Sequence, residues 1–218
     1  MQPARKCCVR IDSEGESMAL PRSIVTDGLA SSMADFEVLL RSLDQGAWDK
    51  ASRCDGWTVG DVAKHAVGSI ADAVSGRTEG LGSEEVTQRE VDERAGRSAA
   101  DLADECREVA ATAAQVLPLF DDDAWAAPAP GGYEGTLGDG IEALWADFWF
   151  HADDIRHAVG LESVIDDGLP GAVSHVCFEL QHRGWDGDIP EDKAEQIPWL
   201  LSATGRAPLR EGLINIYG

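Results

Sequence analysis

Apolar residues recur every three or four positions along most of the chain, which is the spacing of one helical face. The first apolar stripe predicts a helix over residues 23–44. The second begins at Thr58, which forms a capping-box-like pair with Asp61, an Asp in place of the usual Glu. Further stripes predict helices near 98–119 and near 138–159. Four such amphipathic helices predict an all-α protein built as an antiparallel four-helix bundle.

The segments between and after these helices are less regular. Residues 76–97 are Gly-rich and charged, and they predict a loop with a short polar helix. Residues 121–140 contain several glycines and prolines and predict a long loop, a feature that often carries function. After Gly160, weaker patterns predict helices near 169–184 and near 191–204.

The pattern divides the chain into three parts. Residues 1–22 lack periodicity and predict a disordered extension, within which translation starts either at Met1 or at Met18. Residues 23–160 form the predicted bundle, and residues 161–218 form a short helical tail. The candidate chemistry lies in the bundle.

The balance of charges narrows the choice of partners. The 218 residues include 18 Lys and Arg against 40 Asp and Glu, so the formal net charge is −22. Nucleic-acid binding and attachment to an anionic membrane surface both depend on basic patches, and both are therefore disfavoured. No stretch approaches the roughly 20 apolar residues that span a bilayer, and no apolar segment typical of a signal peptide follows the N-terminal charges. We expect small-molecule partners. The sequence is also compatible with a homodimer.

The cysteines indicate a reducing environment. The chain has five cysteines, an odd number, and they include no C-x-x-C pair. A disulfide framework and a structural zinc knuckle are both disfavoured by this pattern. We therefore expect a cytoplasmic protein.

The fourth helix carries a polar line beside its apolar stripe. Asp147 and His151 are four residues apart and project from one face, with Asp154 three residues further on. A carboxylate and an imidazole at this spacing can close on one metal ion. His65 on the second helix could supply a third ligand from a facing helix. Two nitrogens and one oxygen with an open position are typical of a catalytic metal site, which would hold zinc or non-haem iron.

These residues also have plainer interpretations. A histidine such as His65 is more often structural or exposed than a ligand. On the fourth helix, Trp145, Trp149 and Phe150 cannot all face one core, so some of them should line a cavity or an oligomer interface. We therefore predict a substrate pocket near Trp145 and Trp149. Arg156 could bind a substrate carboxylate there, or it could form a surface salt bridge.

Three segments carry a family resemblance. The stretch SRCDGWTVGDVAKHAVG resembles the "GWTVxDVxxHL" segment of the mycothiol-dependent maleylpyruvate isomerase N-terminal family. The stretch WADFWFHADDIRHAVG resembles the second signature of that family, an acidic residue, three further residues and "HxxDLxxALG". The stretch LLSATGRAP resembles the "GRxP" close of many members, so the resemblance covers about residues 24–210. The family belongs to the DinB-like superfamily of metal-binding four-helix bundles.

The resemblance implies a ligand set. It places the metal on His65, Asp147 and His151, and Asp147 stands where the isomerase has Glu. It places Asp154 at the aspartate of "HxxD", where Asp154 would orient a ligand histidine, with helix stabilisation as the alternative. Longer members carry a further C-terminal domain that contributes to substrate or thiol binding, and we expect that domain to be absent or much reduced after Gly160.

The resemblance also implies a chemistry. It predicts a metal-dependent enzyme that activates mycothiol, or another low-molecular-weight thiol, for attack on an electrophilic small molecule. Zinc is the expected metal, with iron and nickel as alternatives. Such an enzyme is an isomerase if it releases the thiol and a transferase if it keeps the new C–S bond. Two other hypotheses remain, a metal enzyme that works without a thiol and a non-catalytic bundle that binds a ligand.

Overall fold

A computed structural model describes residues 20–218, and within this range the chain is helical and has no strand. The predicted extension, residues 1–22, lies outside this range except for its last three residues. The helices are α1 (Arg22–Arg41), α2 (Gln45–Trp48), α3 (Val59–Ser75), α4 (Glu84–Glu93), α5 (Ala99–Val116), α6 (Asp122–Ala126), α7 (Leu137–Val159), α8 (Leu169–His182) and α9 (Lys193–Ala203). Helix α4 is the short polar helix predicted within residues 76–97. Across the described range, no helix combines the length and apolarity needed to cross a bilayer.

Four long helices form the bundle that the periodicity predicts. Helices α1 and α3 occupy opposite corners, and each packs against both α5 and α7. Large apolar side chains from all four helices fill the interior, where the rings of Phe36 and Phe148 meet edge to face with centroids 5.2 Å apart. Burying a side chain of this kind stabilises a fold by about 1.5–3 kcal/mol. Because α3 and α7 are neighbours, side chains on their facing sides can meet.

Hydrogen bonds at the helix starts determine where three of these helices begin. Helices α3, α5 and α7 each begin with a capping box, at Thr58, Ser98 and Thr136. In α7 the Thr136 hydroxyl accepts the Asp139 N–H at 3.2 Å, and the Asp139 carboxylate accepts the Thr136 N–H at 2.9 Å. Gly160 ends α7 with a φ of 81°, a left-handed backbone that favours glycine. The predicted capping box at Thr58 is confirmed.

Two short helices lie where the periodicity predicts none. Helix α2 follows α1, and α6 lies inside residues 121–140, which the sequence predicts as one long loop. Each begins after an aspartate whose carboxylate accepts a backbone N–H, Asp44 from Ala47 at 2.7 Å and Asp121 from Ala124 at 2.8 Å. Helices of four and five residues are too short to show an apolar stripe, so only the aspartate caps could have indicated them.

The segment after Gly160 forms a second layer on the bundle. Helix α8 packs against α7, and α9 packs against α8. Apolar side chains of these three helices make a second core, which includes Trp149, Phe150 and Leu180. Helix α7 therefore lies between two cores, and most of its side chains are buried.

Candidate metal centre

Three potential metal ligands meet between α3 and α7. His65 comes from α3, and Asp147 and His151 come from successive turns of α7. The Asp147 carboxylate lies 3.1 Å from Nε2 of His151 and 3.8 Å from Nε2 of His65, and the two imidazole centroids are 5.0 Å apart. One ligand atom from each residue lies within 4.8 Å of the others. The structure thus brings together the three side chains that the sequence nominates as ligands.

A carboxylate orients each of the two imidazoles. Nδ1 of His65 lies 2.7 Å from Oε2 of Glu90, and Nδ1 of His151 lies 3.0 Å from Oδ2 of Asp154. The Ser69 hydroxyl donates to the same Glu90 oxygen at 3.1 Å. With Nδ1 engaged in this way, each ring presents Nε2 to the interior of the site. Carboxylate–histidine pairs of this kind set the tautomer and the direction of metal-binding imidazoles.

The electrostatics of the site favour a positive charge. Burial opposes ionisation of Asp147, but the charge and hydrogen bond of His151 outweigh burial and hold the pKa of that carboxyl well below its usual range. Burial likewise opposes protonation of His151, yet Asp147 and Asp154 raise its pKa well above the usual value. The negative potential that retains a proton here also suits a divalent cation.

Asp154 is the centre of a buried ion cluster beside His151. Its oxygens accept hydrogen bonds from Nε of Arg53 at 2.6 Å and from Nε and Nη2 of Arg206 at 2.9 and 2.8 Å. Burial opposes ionisation, but His151 and Arg206 keep the pKa of Asp154 below its usual range. The neighbouring Asp153 pairs with Arg53. This arrangement fits the orienting role that the resemblance implies for Asp154.

A second group of ligand atoms overlaps with the first. One atom each from Cys54, His151 and Asp154 also lies within 4.8 Å of the others, and Sγ of Cys54 is 3.4 Å from Oδ2 of Asp154. Two guanidinium groups already neutralise Asp154, and its Oδ2 also engages Nδ1 of His151. The carboxylate has little charge left for a cation, so the group with His65 is the better candidate.

The group of His65, Asp147 and His151 suits zinc and related ions. Two imidazole nitrogens and one carboxylate oxygen are donors that zinc, non-haem iron and nickel accept. His65 and His151 are 8% and 7% exposed, whereas the Asp147 side chain is 32% exposed and lies at the wall of a cavity. Three protein ligands beside open space are typical of catalytic rather than structural metal sites.

The cavity beside the ligands has a volume of about 740 Å³. His65, Ser69 and Asp147 lie on its wall, so the ligand group opens into it. Most other lining side chains are apolar, and they include Leu29, Ile70, Val74, Phe120, Ile141 and Leu144. A smaller polar set comes from α8, from the residue that follows it and from both tyrosines of the chain, namely His175, Glu179, Arg183, Tyr133 and Tyr217. Size and lining are typical of a site for a small molecule.

The residues predicted to form the substrate pocket lie elsewhere. Trp145 is 1% exposed, and its ring packs between Gly28 and Gly171. Trp149 is 2% exposed and belongs to the second core. Arg156 is half-buried on the last turns of α7, and none of these three predicted residues lines the cavity. The sequence did not indicate that α8 packs on the far side of α7, where it helps to bury both indoles.

Sequence reasoning missed Glu90, Arg53 and Arg206. Glu90 belongs to a helix that the charge pattern predicts as polar, yet Glu90 is fully buried against His65. The partner lies 25 residues away, and no local spacing indicates the contact. Arg206 stands in the LLSATGRAP segment, so the "GRxP" resemblance was the available signal for it.

Comparison with known families identifies most of the bundle. Residues 29–156 match the family model described as the mycothiol maleylpyruvate isomerase N-terminal domain. The matched segment covers more than half of the chain, contains His65, Asp147 and His151, and leaves α8 and α9 outside. Neither a curated protein nor a solved structure matches the chain.

Proposed function

Because this chain belongs to the family of mycothiol maleylpyruvate isomerase N-terminal domains, we propose that it is a metal-dependent enzyme that activates a low-molecular-weight thiol. The sulfur would attack an electrophilic small molecule held in the adjoining cavity. The observation that carries this proposal is the convergence of His65, Asp147 and His151 beside the cavity, with a carboxylate orienting each imidazole.

The proposed ligands are Nε2 of His65, Nε2 of His151 and the Asp147 carboxylate. Zinc is the proposed ion, since two nitrogens and one oxygen suit it. When bound, such an ion lowers the pKa of a thiol, so that the sulfur is nucleophilic at neutral pH. The chain supplies the orientation, because Glu90 and Asp154 hold the imidazoles in the direction that binding requires.

The cavity provides the place where thiol and electrophile meet. When the thiolate adds to a carbon–carbon double bond conjugated to a carbonyl, the C–S bond forms as the π bond breaks. The electron pair moves onto the carbonyl as an enolate, which takes up the proton that the thiol lost if the addition product is kept. A transferase keeps this bond, whereas an isomerase breaks it after a bond rotation and releases the thiol. The description of the matching family supports mycothiol as the thiol and isomerase-related chemistry for this chain.

Elemental analysis of the purified protein tests the metal site. We expect one zinc per chain in the wild type and loss of zinc in His65→Ala and in His151→Ala. His157→Ala is the matched control, because His157 is an exposed histidine on the same helix as His151 and should leave the zinc in place. A wild type that carries no metal even after reconstitution would contradict the proposal.

Turnover assays then test the thiol. Consumption of an electrophile such as an uncharged α,β-unsaturated ketone should require both zinc and added thiol, and the two alanine variants should be inactive. Turnover with zinc but without thiol would instead support the metal enzyme that needs no thiol.

A further inference from the structure

The charges on the cavity wall indicate which kind of electrophile the cavity can hold. This inference rests on the proposed function and concerns the substrate of the same site. Within residues 20–218, one side chain of the lysine and arginine type lines the cavity, Arg183, which directly follows α8. Two carboxylates line it as well, Asp147 and Glu179. Because Asp147 is a proposed metal ligand, Glu179 and Arg183 are the charged pair that a substrate would meet.

The charge of Arg183 is already matched. Its Nη1 donates to Oε2 of Glu179 at 2.5 Å and to the Glu179 carbonyl at 3.1 Å. Its Nη2 donates to the backbone carbonyl of Ile216 at 2.7 Å. A substrate carboxylate at this guanidinium would share it with the Glu179 carboxylate, which would repel the substrate.

The surroundings of Tyr133 have the same negative character. Tyr133 lines the cavity and stacks on Phe178, with ring centroids 6.4 Å apart. Burial raises the pKa of its phenol, and the charges of Glu179, Asp139 and Glu142 raise it further. The hydroxyl therefore stays neutral at physiological pH, and the three carboxylates disfavour another anion beside it.

Two histidines complete the ionisable groups of the α3 and α8 walls. His65 belongs to the ligand group, and its Nδ1 is engaged by Glu90. His175 is 8% exposed and has an interaction partner of its own. Both imidazoles therefore already have partners within the protein.

We propose that the cavity selects an uncharged, largely apolar electrophile, such as a carbonyl compound, over a carboxylate of the same size. Three bundle helices supply apolar side chains that such a molecule can contact, Leu29, Ile70 and Leu144. Moving its apolar surface from water into this environment is favourable. A carboxylate would lose its hydration in the same place and find the cavity's guanidinium already paired.

Two naphthalene probes of similar size test this selectivity, the neutral 2-acetylnaphthalene and the anionic 2-naphthoate. In an NMR titration of the zinc-loaded protein at neutral pH, we expect the ketone to bind about tenfold more tightly than the carboxylate. Tighter binding of 2-naphthoate, on the cavity wall or on the zinc, would overturn the proposal.

The variant Glu179→Gln tests the stated cause. It removes the charge that matches Arg183, so the affinity for 2-naphthoate should rise about tenfold, while the affinity for the ketone stays within about twofold. Glu162→Gln is the control, because it removes an exposed carboxylate that does not line the cavity, and it should change neither affinity. If Glu179→Gln leaves the affinity for 2-naphthoate unchanged, the pairing does not determine selectivity and the proposal fails.

A second variant covers the case in which Glu179→Gln does not fold. Arg183→Gln leaves Glu179 without its counter-charge, so 2-naphthoate should bind even more weakly and the ketone as before. Stronger binding of 2-naphthoate by Arg183→Gln would overturn the proposal.

Zinc content is measured on the same samples, so absence of zinc would reject the proposed function, whereas a zinc-loaded protein that prefers the carboxylate would reject the substrate class alone.

Discussion

Glu90 shows how one residue on a polar helix becomes part of the site. Its side chain is fully buried, and one of its oxygens engages both Nδ1 of His65 and the Ser69 hydroxyl. A proton held on Nδ1 leaves the lone pair on Nε2, which is the atom that a metal needs. Glu93, three residues further along α4, is exposed and pairs with Arg77 instead. Glu90 and Glu93 therefore have different roles although they lie on the same helix.

We expect Glu90→Gln to weaken zinc binding by about 10- to 100-fold, because an amide can still accept the hydrogen bond from His65 but lacks the charge that makes the imidazole a better ligand. Competition with a chromophoric chelator measures the affinity. Glu93→Gln is the matched control and should bind zinc like the wild type. Equal affinities in the two variants would show that Glu90 supports the fold and not the metal.

At the scale of secondary-structure elements, capping boxes determine where the helices that build the site begin. In the boxes of α3 and α7 the two partners are three residues apart, and His65 and Asp147 follow the capping threonines by seven and eleven positions. The box of α5 uses Ser98 and Asp101 in the same way. The start of each of these helices is therefore a local property.

The box of α5 makes a small part of the stability depend on pH. The N–H and the hydroxyl of Ser98 donate to the Asp101 carboxylate at 2.9 and 2.7 Å, and these hydrogen bonds lower the pKa of Asp101. Because the pKa of Asp101 is lower in the folded than in the unfolded protein, its ionised carboxylate stabilises the fold at any pH above the unfolded pKa of about 3.9. This stabilisation is lost as the pH falls through the folded pKa. We expect Asp101→Asn to lower the midpoint of urea unfolding at neutral pH, and this deficit should disappear as the pH falls through the folded pKa of Asp101.

Urea titrations at several pH values check this prediction. Asp55→Asn is the control, since Asp55 is exposed and lies outside the capping boxes, and its midpoint should follow that of the wild type at every pH. A deficit in Asp101→Asn that persists in acid would mean that the substitution disturbs packing and not the charged cap.

At the scale of the whole molecule, α7 joins the two cores through a tightly enclosed indole. Trp145 of α7 lies between a glycine of α1 and a glycine of α8. A Cβ on Gly28 would lie 2.1 Å from Cζ2 of Trp145, and a Cβ on Gly171 would lie 2.3 Å from its Cδ2. Only glycine allows both helices to approach the ring this closely. The ring thereby links the bundle to the second layer.

We expect Gly171→Ala to lower the free energy of unfolding by about 1–3 kcal/mol, because the added methyl group cannot fit unless α8 moves away from Trp145. Urea unfolding measures the change. Gly140→Ala is the control, since its Cβ would lie an ordinary 3.6 Å from Cβ of Ala129, and it should cause no loss. If the two variants are equally stable, α8 is able to shift without cost.

Helix α7 also shows how far sequence reasoning reaches. The four-residue spacing of Asp147 and His151 was enough to place both on one face, and the bundle pattern with the family motif added His65 from α3. The same reasoning placed Trp145 and Trp149 in a substrate pocket, although both are buried. The error has a physical origin. The aromatic surplus on α7 indicates a second apolar environment but not what supplies it, and the cover over the far face of α7 comes from a helix later in the chain.

The sequence by itself determined the features that are local along the chain. The bounds of the long helices, the cap at Thr58 and the shared face of Asp147 and His151 all depend on residues within one or two turns. The tertiary structure alone decided that Glu90 meets His65 and that the cavity is lined by α8. Those features depend on which helix covers which face, and that choice is made by packing between segments far apart in the chain.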